Sequence, residues 1–300
     1  MRSSVEPQRT VHQARAPRGR AGRALTPAAA IQGELGSFSH LAALTALGEE
    51  TQVFQCRTFR EVFETVVRGD AQHGIVPIEN SLVGSIFENY DLLAEHSLPI
   101  VGETEVRVSL SLLARPGARL DTIRRVHSHP VALNQCRRFF ASRTDLEPLA
   151  SYDTAGSVWD VMERGTMRDA AIGSPLAAKL YGAVVLDEHI EDDPQNFTRF
   201  LVVARTSTTL SGAHKTSLMV RLRHEPGALW RALEPLARHG LNLTKVESRP
   251  ILGRPWEYVF YLDVCGGGDA AAAVSDLRAV AADVRVLGCY EPGAARLREG

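Results

Sequence analysis

Small hydroxyl, amide and carboxylate side chains recur in this sequence where short apolar runs give way to helical patterns. Five such points are Gly36-Ser37, Asn80-Ser81, Ser128-His129-Pro130, Asp153-Thr154 and Ser174-Pro175. The first turn of a helix has free backbone N–H groups and the positive end of the helix dipole, so several such turns that meet would bind a carboxylate or a phosphate. Each residue type is also a good N-cap, so any single one is more often structural. Five in one region favour an anion site to which some of them contribute.

The apolar runs before these turns predict the strands of an α/β region from Ala28 to about Thr206, built around largely parallel sheets. The predicted strands are Ala29–Gln32, Val53–Cys56, Gly74–Pro77, Val106–Leu113, Ile123–His127, Ala170–Gly173 and Phe200–Ala204. Between them lie helical patterns, one of which begins at a capping box from Thr58 to Glu61. We expect two lobes, the second over about 107–191, with a ligand in the cleft between them. The chain would cross between the lobes at Leu98–Arg107 and return near Asp192–Phe200.

A polar segment, 207–215, predicts a linker to a smaller C-terminal domain over 216–291. Apolar alternation and helical spacing there give a βαββαβ order, which is typical of ferredoxin-like folds. The predicted elements are a strand around Leu218–Leu222, a helix after Pro226-Gly227, strands Leu241–Arg249 and Trp256–Val264, a helix from Asp269 and a strand Val284–Leu287. Pro235 lies inside the first of these helices and predicts a kink or an early end, because proline lacks the N–H that a helix interior needs.

Composition excludes several classes of protein. The formal net charge is -1, with 44% hydrophobic and 23% charged residues, which gives no reason to expect nucleic acid or an anionic membrane as partner. No stretch approaches the roughly 18 apolar residues of a membrane span. The four cysteines are widely spaced, which argues against zinc or a disulfide framework and favours a reduced, cytoplasmic setting. Residues 1–27 are arginine-rich and are expected to be a disordered basic tail, although a transit peptide or a start codon placed too early would look the same.

Short motifs in a common order resemble the prephenate dehydratase family. They are the run from Gln32 to Ser39, Pro77-Ile78-Glu79-Asn80-Ser81 with Gly84-Ser85, Ser128-His129-Pro130 with Gln135-Cys136, Asp153-Thr154-Ala155-Gly156, and Asn196-Phe197-Thr198-Arg199-Phe200. The C-terminal part resembles the ACT domain of the same family through Gly227-Ala228-Leu229, Glu247-Ser248-Arg249-Pro250 and Trp256-Glu257-Tyr258. Two positions depart from the family pattern. His40 stands where glutamate is usual and is expected to be a surface substitution, and Trp230 stands where a small aliphatic residue is common.

The resemblance implies a two-lobed catalytic domain, similar to periplasmic binding proteins, followed by a ferredoxin-like ACT domain. It also implies a cofactor-free and metal-free lyase that converts prephenate to phenylpyruvate, carbon dioxide and water during phenylalanine synthesis. By resemblance to the family's Thr-Arg-Phe motif, Thr198 is the expected catalytic residue. A threonine hydroxyl is a weak acid, so it would act on the leaving hydroxyl through a placed hydrogen bond.

The substrate carries two carboxylates, and hydroxyl, amide and helix-end N–H groups could bind the one on the side chain. The expected substrate-binding residues are Asn80, Ser81, Ser128, Gln135, Thr154, Ser174, Arg199 and Phe200. Arg199 has two readings that the sequence leaves open: it anchors the side-chain carboxylate, or it pairs with Glu79. The carboxylate that leaves should not be held by a tight cation, because that would oppose the loss of its charge.

The resemblance further implies that phenylalanine binds to the C-terminal domain as an allosteric effector. The expected effector-binding residues are Gly227, Ala228, Leu229, Glu247, Ser248, Arg249 and Pro250. In the family this site lies between two chains, so a homodimer or homotetramer is expected.

Three alternatives remain at this point. Arogenate, which has an amino group in place of the keto group of prephenate, would give phenylalanine directly. A two-lobed protein that binds a small acid without catalysis would share the architecture, as would an amino-acid-responsive regulator that has lost activity. A dehydrogenase is excluded by the lack of a GxGxxG motif after the first strand, and the residues before Ile31 leave no room for a helical chorismate mutase domain.

Overall fold

The structure, a computed structural model, describes residues 27–207, 215–251 and 253–293. Residues 1–26 of the predicted basic tail and 208–214 of the predicted linker lie outside the described residues. Within the described ranges, no helix is long and apolar enough to cross a membrane.

Strands and helices alternate along the first two thirds of the chain. The strands are β1 Ala28–Gln32, β2 Gln52–Cys56, β3 His73–Asn80, β4 Gly84–Ser85, β5 Ile100–Arg107, β6 Ser111–Ala114, β7 Arg125–Ser128, β8 Glu147–Ala150, β9 Asp169–Gly173, β10 Val184–Asp187 and β11 Phe197–Ala204. The helices are α1 Phe38–Leu47, α2 Phe59–Arg68, α3 Phe87–His96, α4 Pro130–Asn134, α5 Arg137–Ala141, α6 Thr154–Arg164 and α7 Pro175–Tyr181.

These elements form two lobes, as predicted. The first lobe has a sheet in the order β2-β1-β3-β11-β5, with β4 beside β3, and the second has a sheet in the order β10-β6-β9-β7-β8. Strand β11 returns from the second lobe and inserts between β3 and β5, antiparallel to both. Strands β6 and β10 are antiparallel as well. The sheets are therefore mixed, and the prediction of largely parallel sheets was wrong because it did not foresee the returning strands.

The predicted crossing between the lobes was also misplaced. Residues Ile100–Arg107 are strand β5 of the first sheet, and the chain crosses at 108–110 before β6 begins. The single predicted strand Val106–Leu113 is thus the end of one strand, the crossing and the start of another. Apolar residues continue through the crossing because Val108 and Leu110 are buried in the second-lobe core.

The C-terminal domain has the predicted βαββαβ order. Its elements are β12 Lys215–Arg221, α8 Ala228–Arg238, β13 Asn242–Pro250, β14 Tyr258–Cys265, α9 Ala270–Val280 and β15 Asp283–Tyr290. The antiparallel sheet runs β13-β14-β12-β15. Helix α8 continues through Pro235 to Arg238, so it does not end early. Ala232, Pro235 and Leu236 are buried against the domain core, and that burial offsets the hydrogen bond that the proline cannot make.

One face of the C-terminal sheet packs on its own helices, and the other packs on the first lobe. Leu218, Val220 and Leu262 form the core beneath α8 and α9. Tyr261, Leu287 and Tyr290 belong instead to a core shared with the first lobe. This second face lies against the reverse side of the sheet that carries Thr198.

Candidate functional site

A cavity of about 580 Å³ lies in the cleft between the two lobes. The first lobe contributes the loop after β1, the end of β3, the start of β11 and the start of α2. The second lobe contributes the starts of α4 and α6. Much of the lining is apolar, and it includes Phe38, Phe59, Val83, Ile86, Val108, Leu110, Val131 and Phe200. An apolar cleft with a few polar groups is typical of a small-molecule binding site.

At the base of the cavity, a hydrogen bond joins polar side chains of two neighbouring strands. Asn80 on β3 and Thr198 on β11 are register partners, and both line the cavity. The Asn80 Nδ2 atom lies 3.0 Å from Thr198 Oγ1. Since the amide nitrogen can only donate, the threonine oxygen is the acceptor. The hydroxyl hydrogen of Thr198 is therefore available to donate to a ligand.

The side chain of Asn80 is fixed in this orientation by its other contacts. Its Oδ1 accepts hydrogen bonds from the backbone N–H groups of Leu82 and Val83, each at 3.0 Å. Its Nδ2 also lies 2.8 Å from Asn196 Oδ1 and 3.1 Å from the Phe197 carbonyl oxygen. A flipped amide would lose all of these contacts, so the network assigns which atom is nitrogen.

The turn from Gly33 to Ser37 brings the first lobe against the second. Gly36 has φ +88°, and a Cβ there would lie 2.8 Å from Ala177 Cα. Gly33 has φ +100°, and a Cβ there would lie 2.9 Å from a carboxylate oxygen of Asp153. Only glycine fits both the backbone angle and the close approach. The turn thereby closes one side of the cleft.

His40 supports this turn and is not the surface substitution that we expected. It is only 8% exposed, and its Nδ1 accepts a hydrogen bond of 2.9 Å from the Gly36 N–H. Burial lowers the pKa of His40, which favours the neutral ring that this acceptor role requires.

Asp153 is a partly buried carboxylate at the second-lobe side of the cavity. It is the N-cap of α6 and accepts from the Gly156 N–H at 2.7 Å. Burial raises the pKa of Asp153 above its ordinary value, although hydrogen bonds from Gly156 and Ala155 oppose the shift. A carboxyl group with a raised pKa facing the cavity is less repulsive to a dianionic ligand than an ordinary aspartate.

The raised pKa predicts a pH-dependent effect of Asp153→Asn on stability. The folded state disfavours the charged carboxylate, so the stability contributed by this group is present below its unfolded pKa and is lost as pH rises through its folded pKa. Asparagine is an equally good N-cap and stays neutral. We therefore expect Asp153→Asn to gain stability relative to the natural protein as pH rises above the unfolded pKa of aspartate, about 3.9, as measured by denaturant unfolding at several pH values.

Asp269→Asn provides a matched control, because Asp269 caps α9 in the same way but is exposed. The same pH trend in both variants would show that the effect does not come from the burial of Asp153.

Five of the predicted site residues come together in the cavity. They are Asn80, Gln135, Thr154, Thr198 and Phe200. Three predicted hydroxyls do not reach it. Ser128 and Ser174 are fully buried, and their hydroxyls donate to the carbonyl oxygens of Ile172 and Gly36. Ser81 donates to the Gln195 carbonyl oxygen. These serines hold the backbone in place, and their prediction as ligand-binding side chains is corrected.

Arg199 also lies outside the cavity, on the opposite face of the sheet from Thr198. Its guanidinium pairs with Glu103 at 2.7 Å and with Asp263 of the C-terminal domain at 2.6 Å. The partner of Glu79 is Lys245, at 2.8 Å. Both earlier readings of Arg199 are therefore wrong. The physical reason is the alternation of side chains along a strand, which sends adjacent residues to opposite faces.

Several cavity residues were not predicted as site residues. Arg57 is the only arginine or lysine among the described residues that line the cavity, and it is exposed at its edge. His129, Tyr152 and Asp153 line the second-lobe side. A sequence signal did exist for Arg57, because it directly follows β2, a strand parallel to β1, and parallel strands end at the same edge of a sheet.

The predicted effector residues fall into two groups in the C-terminal domain. Gly227, Ala228 and Leu229 form the start of α8, where Gly227 has φ +75°. Glu247, Ser248, Arg249 and Pro250 form the end of β13. Glu247 bonds Ser85, and Arg249 pairs with Asp91 at 2.7 Å, so both face the catalytic part. Ser248 and Pro250 are exposed.

Comparisons with known proteins agree with this architecture. The family model described as prephenate dehydratase matches residues 29–208, and the ACT domain model matches 216–282. The arogenate dehydratase/prephenate dehydratase 2 of Arabidopsis thaliana, a chloroplastic protein, is 39% identical over 87% of this chain and 72% of its own length.

Two solved structures are also similar. The prephenate dehydratase of Arthrobacter aurescens in complex with L-Phe has a TM-score of 0.80 and 33% identity, and the match covers 88% of this chain and 89% of that one. A chain described as GqqA, a novel type of quorum quenching acylase, has a TM-score of 0.81 and 36% identity, with 88% and 97% covered.

Proposed function

The chain belongs to the prephenate dehydratase family, and we propose that it converts prephenate to phenylpyruvate under control by phenylalanine. The observation that carries this proposal is the hydrogen bond from Asn80 to Thr198 at the base of the interlobe cavity. It makes the threonine hydroxyl a donor aimed at the ligand, which is what a poor leaving group needs.

In the proposed reaction, the bond between the ring and its carboxylate breaks and releases carbon dioxide. Its electron pair enters the ring, the ring becomes aromatic, and the bond to the hydroxyl oxygen breaks on the far side. The hydroxyl oxygen keeps the electron pair of its own broken bond to the ring and takes up one proton, so that water is formed. Thr198 stabilises the charge on the departing oxygen through its hydrogen bond, and the proton consumed comes from solvent.

The charge distribution of the cavity suits the loss of one carboxylate and the retention of the other. We place the side-chain carboxylate near Arg57 and the hydroxyl of Thr154, both of which line the cavity. With Arg199 behind the sheet, the carboxylate that leaves meets a mostly apolar lining. Such a lining favours the neutral product over the charged group.

The same hydrogen bond argues against an acyl-transfer role such as that named for the acylase relative. A nucleophilic hydroxyl needs a neighbouring base that accepts its proton. The neighbour of Thr198 is an amide nitrogen, which cannot accept one.

We further propose that phenylalanine binds the C-terminal domain at the start of α8 and the exposed side of β13, and that this site lies between two chains of a homodimer or homotetramer. The support is the relative described in complex with L-Phe and the exposure of Trp230 and Trp256, at 71% and 77%, in this domain. Large exposed apolar side chains are typical of interaction surfaces.

Ser248→Ala tests the effector site. Ser248 is the exposed hydroxyl of the predicted motif, and loss of one hydrogen bond of about 1 kcal/mol should weaken phenylalanine binding by about fivefold. Calorimetric titration of the purified protein with phenylalanine measures this. Ser275→Ala, at an exposed position on α9, is the control, and an unchanged Kd for Ser248→Ala would remove this serine from the site.

The decisive assay supplies prephenate and arogenate separately, each with and without phenylalanine, to purified protein. Formation of phenylpyruvate and of phenylalanine is followed. Turnover of prephenate that changes with phenylalanine is the expected result, and turnover of arogenate alone would reassign the substrate. If neither is converted but a small acid binds tightly, the protein is a binding protein.

A further inference from the structure

The two residues of the catalytic hydrogen bond have sequence neighbours that face away from the cavity. Asn80 and Thr198 point into the cleft, whereas Glu79 and Arg199, which are also register partners, point to the reverse face of the sheet. There they meet the C-terminal domain. The positions of Asn80 and Thr198 are therefore set partly by what Glu79 and Arg199 contact.

Arg199 is anchored in a buried cluster of charges between the domains. It pairs with Glu103 of β5 and Asp263 of β14. Lys215, at the start of β12, lies 2.8 Å from Glu103 and 3.8 Å from Asp263. Burial by itself would lower the pKa of Arg199, but attraction to Asp263 and Glu103 raises it, so the guanidinium stays charged.

The carboxylate of Asp263 is itself held in place. Ser217 donates to it at 2.5 Å, and the Ser217 hydroxyl is 2.6 Å from the fully buried hydroxyl of Tyr290. A buried pair of charges with satisfied hydrogen bonds tolerates little displacement, because any separation leaves a charge without compensation.

Glu79 is held by a second group of contacts from strand β13. Lys245 Nζ lies 2.8 Å from Glu79 Oε1 and 2.9 Å from Ser85 Oγ, and the Ser85 hydroxyl also donates to Glu247. Beyond them, Arg249 pairs with Asp91 and its guanidinium lies 4.6 Å from the centre of the Phe87 ring. One strand of the C-terminal domain thus contacts β3, β4 and α3, which surround Asn80.

We propose that Asp263 and Lys245 of the C-terminal domain are positioning residues for the dehydratase reaction, acting through Arg199 and Glu79 on the hydrogen bond between Asn80 and Thr198. The inference rests on the proposed role of Thr198. It makes the C-terminal domain part of the catalytic apparatus, in addition to any role in effector binding. Because β13 also carries the predicted effector residue Ser248, a shift of this strand on ligand binding would reach Asn80 through the same contacts.

Lys245→Met and Asp263→Asn test the inference in the full-length protein with prephenate as substrate. Both remove a charge while keeping much of the side-chain volume. A displacement of a catalytic group by less than 1 Å lowers kcat more than it weakens substrate binding. We expect kcat to fall by about tenfold in each variant and KM to stay nearly constant. Lys245→Arg, which restores the charge, should recover most of the loss.

Asp276→Asn is the matched control. Asp276 is a carboxylate of the same domain that pairs with Arg238 and His239 away from the interface, and its removal should leave kcat unchanged. Thermal unfolding of each variant shows whether the folded fraction differs at the assay temperature. If Asp263→Asn does not fold, Lys245→Met and its arginine rescue still decide the question.

The inference is overturned if Lys245→Met keeps full kcat, or if its loss equals the fraction of unfolded protein, or if Lys245→Arg is as impaired as the methionine variant. Thr198→Ala is measured alongside. If that variant is fully active, the proposed function fails first; if it is inactive while Lys245→Met and Asp263→Asn are not, only the positioning role fails.

Discussion

Replacing Thr198 with alanine is expected to lower kcat for prephenate by at least about a hundredfold, the usual scale for losing a placed acid or hydrogen-bond donor. The leaving hydroxyl then departs without a partner inside a largely apolar cavity, where an unpaired developing charge costs most. Binding of the carboxylates does not involve the threonine hydroxyl, so KM should change little. Steady-state kinetics with prephenate measure both quantities.

Two further substitutions separate the hydroxyl from the shape of the side chain. Thr198→Val keeps the branched volume and removes the donor, so it should be as slow as the alanine variant. Thr198→Ser keeps the donor and should retain much of the turnover. A fast valine variant would assign Thr198 a packing role and would remove it from the chemistry.

Thr104→Ala is a suitable control for folding. Thr104 lies on the neighbouring strand β5, opposite Phe200, and is fully buried. It does not line the cavity, and its Oγ1 has no hydrogen-bond partner among the described residues. Thr104→Ala should therefore leave kcat unchanged. Any decrease in kcat in this variant would measure the effect on catalysis of a change elsewhere in the sheet.

Local sequence patterns predicted most of the elements that position the site. Ser37, Thr58, Asp153 and Ser174 each accept a hydrogen bond from the first turn of the helix that they precede, as N-cap residues do. The strand β8 was missed because three of its four residues are exposed. An edge strand of this kind lacks the apolar alternation on which the prediction depends.

The face on which each side chain lies was predictable in part. Alternation along β11 places Thr198 and Phe200 on one side and Arg199 on the other, so the position of Arg199 could have been inferred once the strand was extended to Phe197. Which side faces the cavity depends on the docking of the C-terminal domain, which is a long-range contact. No local pattern reports that Asp263 will meet Arg199 from 64 positions away.

Whether each predicted hydroxyl faces the cavity also depends on partners that are distant in the sequence. Ser174 bonds the Gly36 carbonyl oxygen across the interlobe cleft, and Ser128 bonds Ile172 on a neighbouring strand. A serine at a helix start has the same sequence signal whether its hydroxyl faces a ligand or a buried carbonyl group. Only the tertiary structure separates Thr154, which lines the cavity, from these two.

Asn80→Asp is expected to be nearly as damaging as the loss of Thr198, with kcat lower by about a hundredfold. An aspartate at this position accepts hydrogen bonds and cannot donate one. The Thr198 hydroxyl would then donate to the aspartate and no longer to the substrate. The carboxylate would also add a negative charge beside a dianionic substrate, which should raise KM as well.

The fold should survive this change. The two backbone N–H groups of Leu82 and Val83 that bond Asn80 Oδ1 can bond a carboxylate oxygen equally well. Asn196 can turn its amide so that Nδ2, which has no partner among the described residues, donates to the new carboxylate. Asn80→Ala removes the donor without adding a charge or an acceptor and should cost less, about tenfold in kcat.

A double variant tests whether Asn80 acts through Thr198. If the amide serves only to orient the hydroxyl, Asn80→Asp should add little further loss of kcat in a Thr198→Val background, because residues that act as one unit are strongly non-additive. Asn134→Asp, at an exposed position on α4 outside the cavity lining, controls for a negative charge added away from Thr198. Fully additive losses of kcat would mean that Asn80 contacts the substrate directly, and the orienting role would be withdrawn.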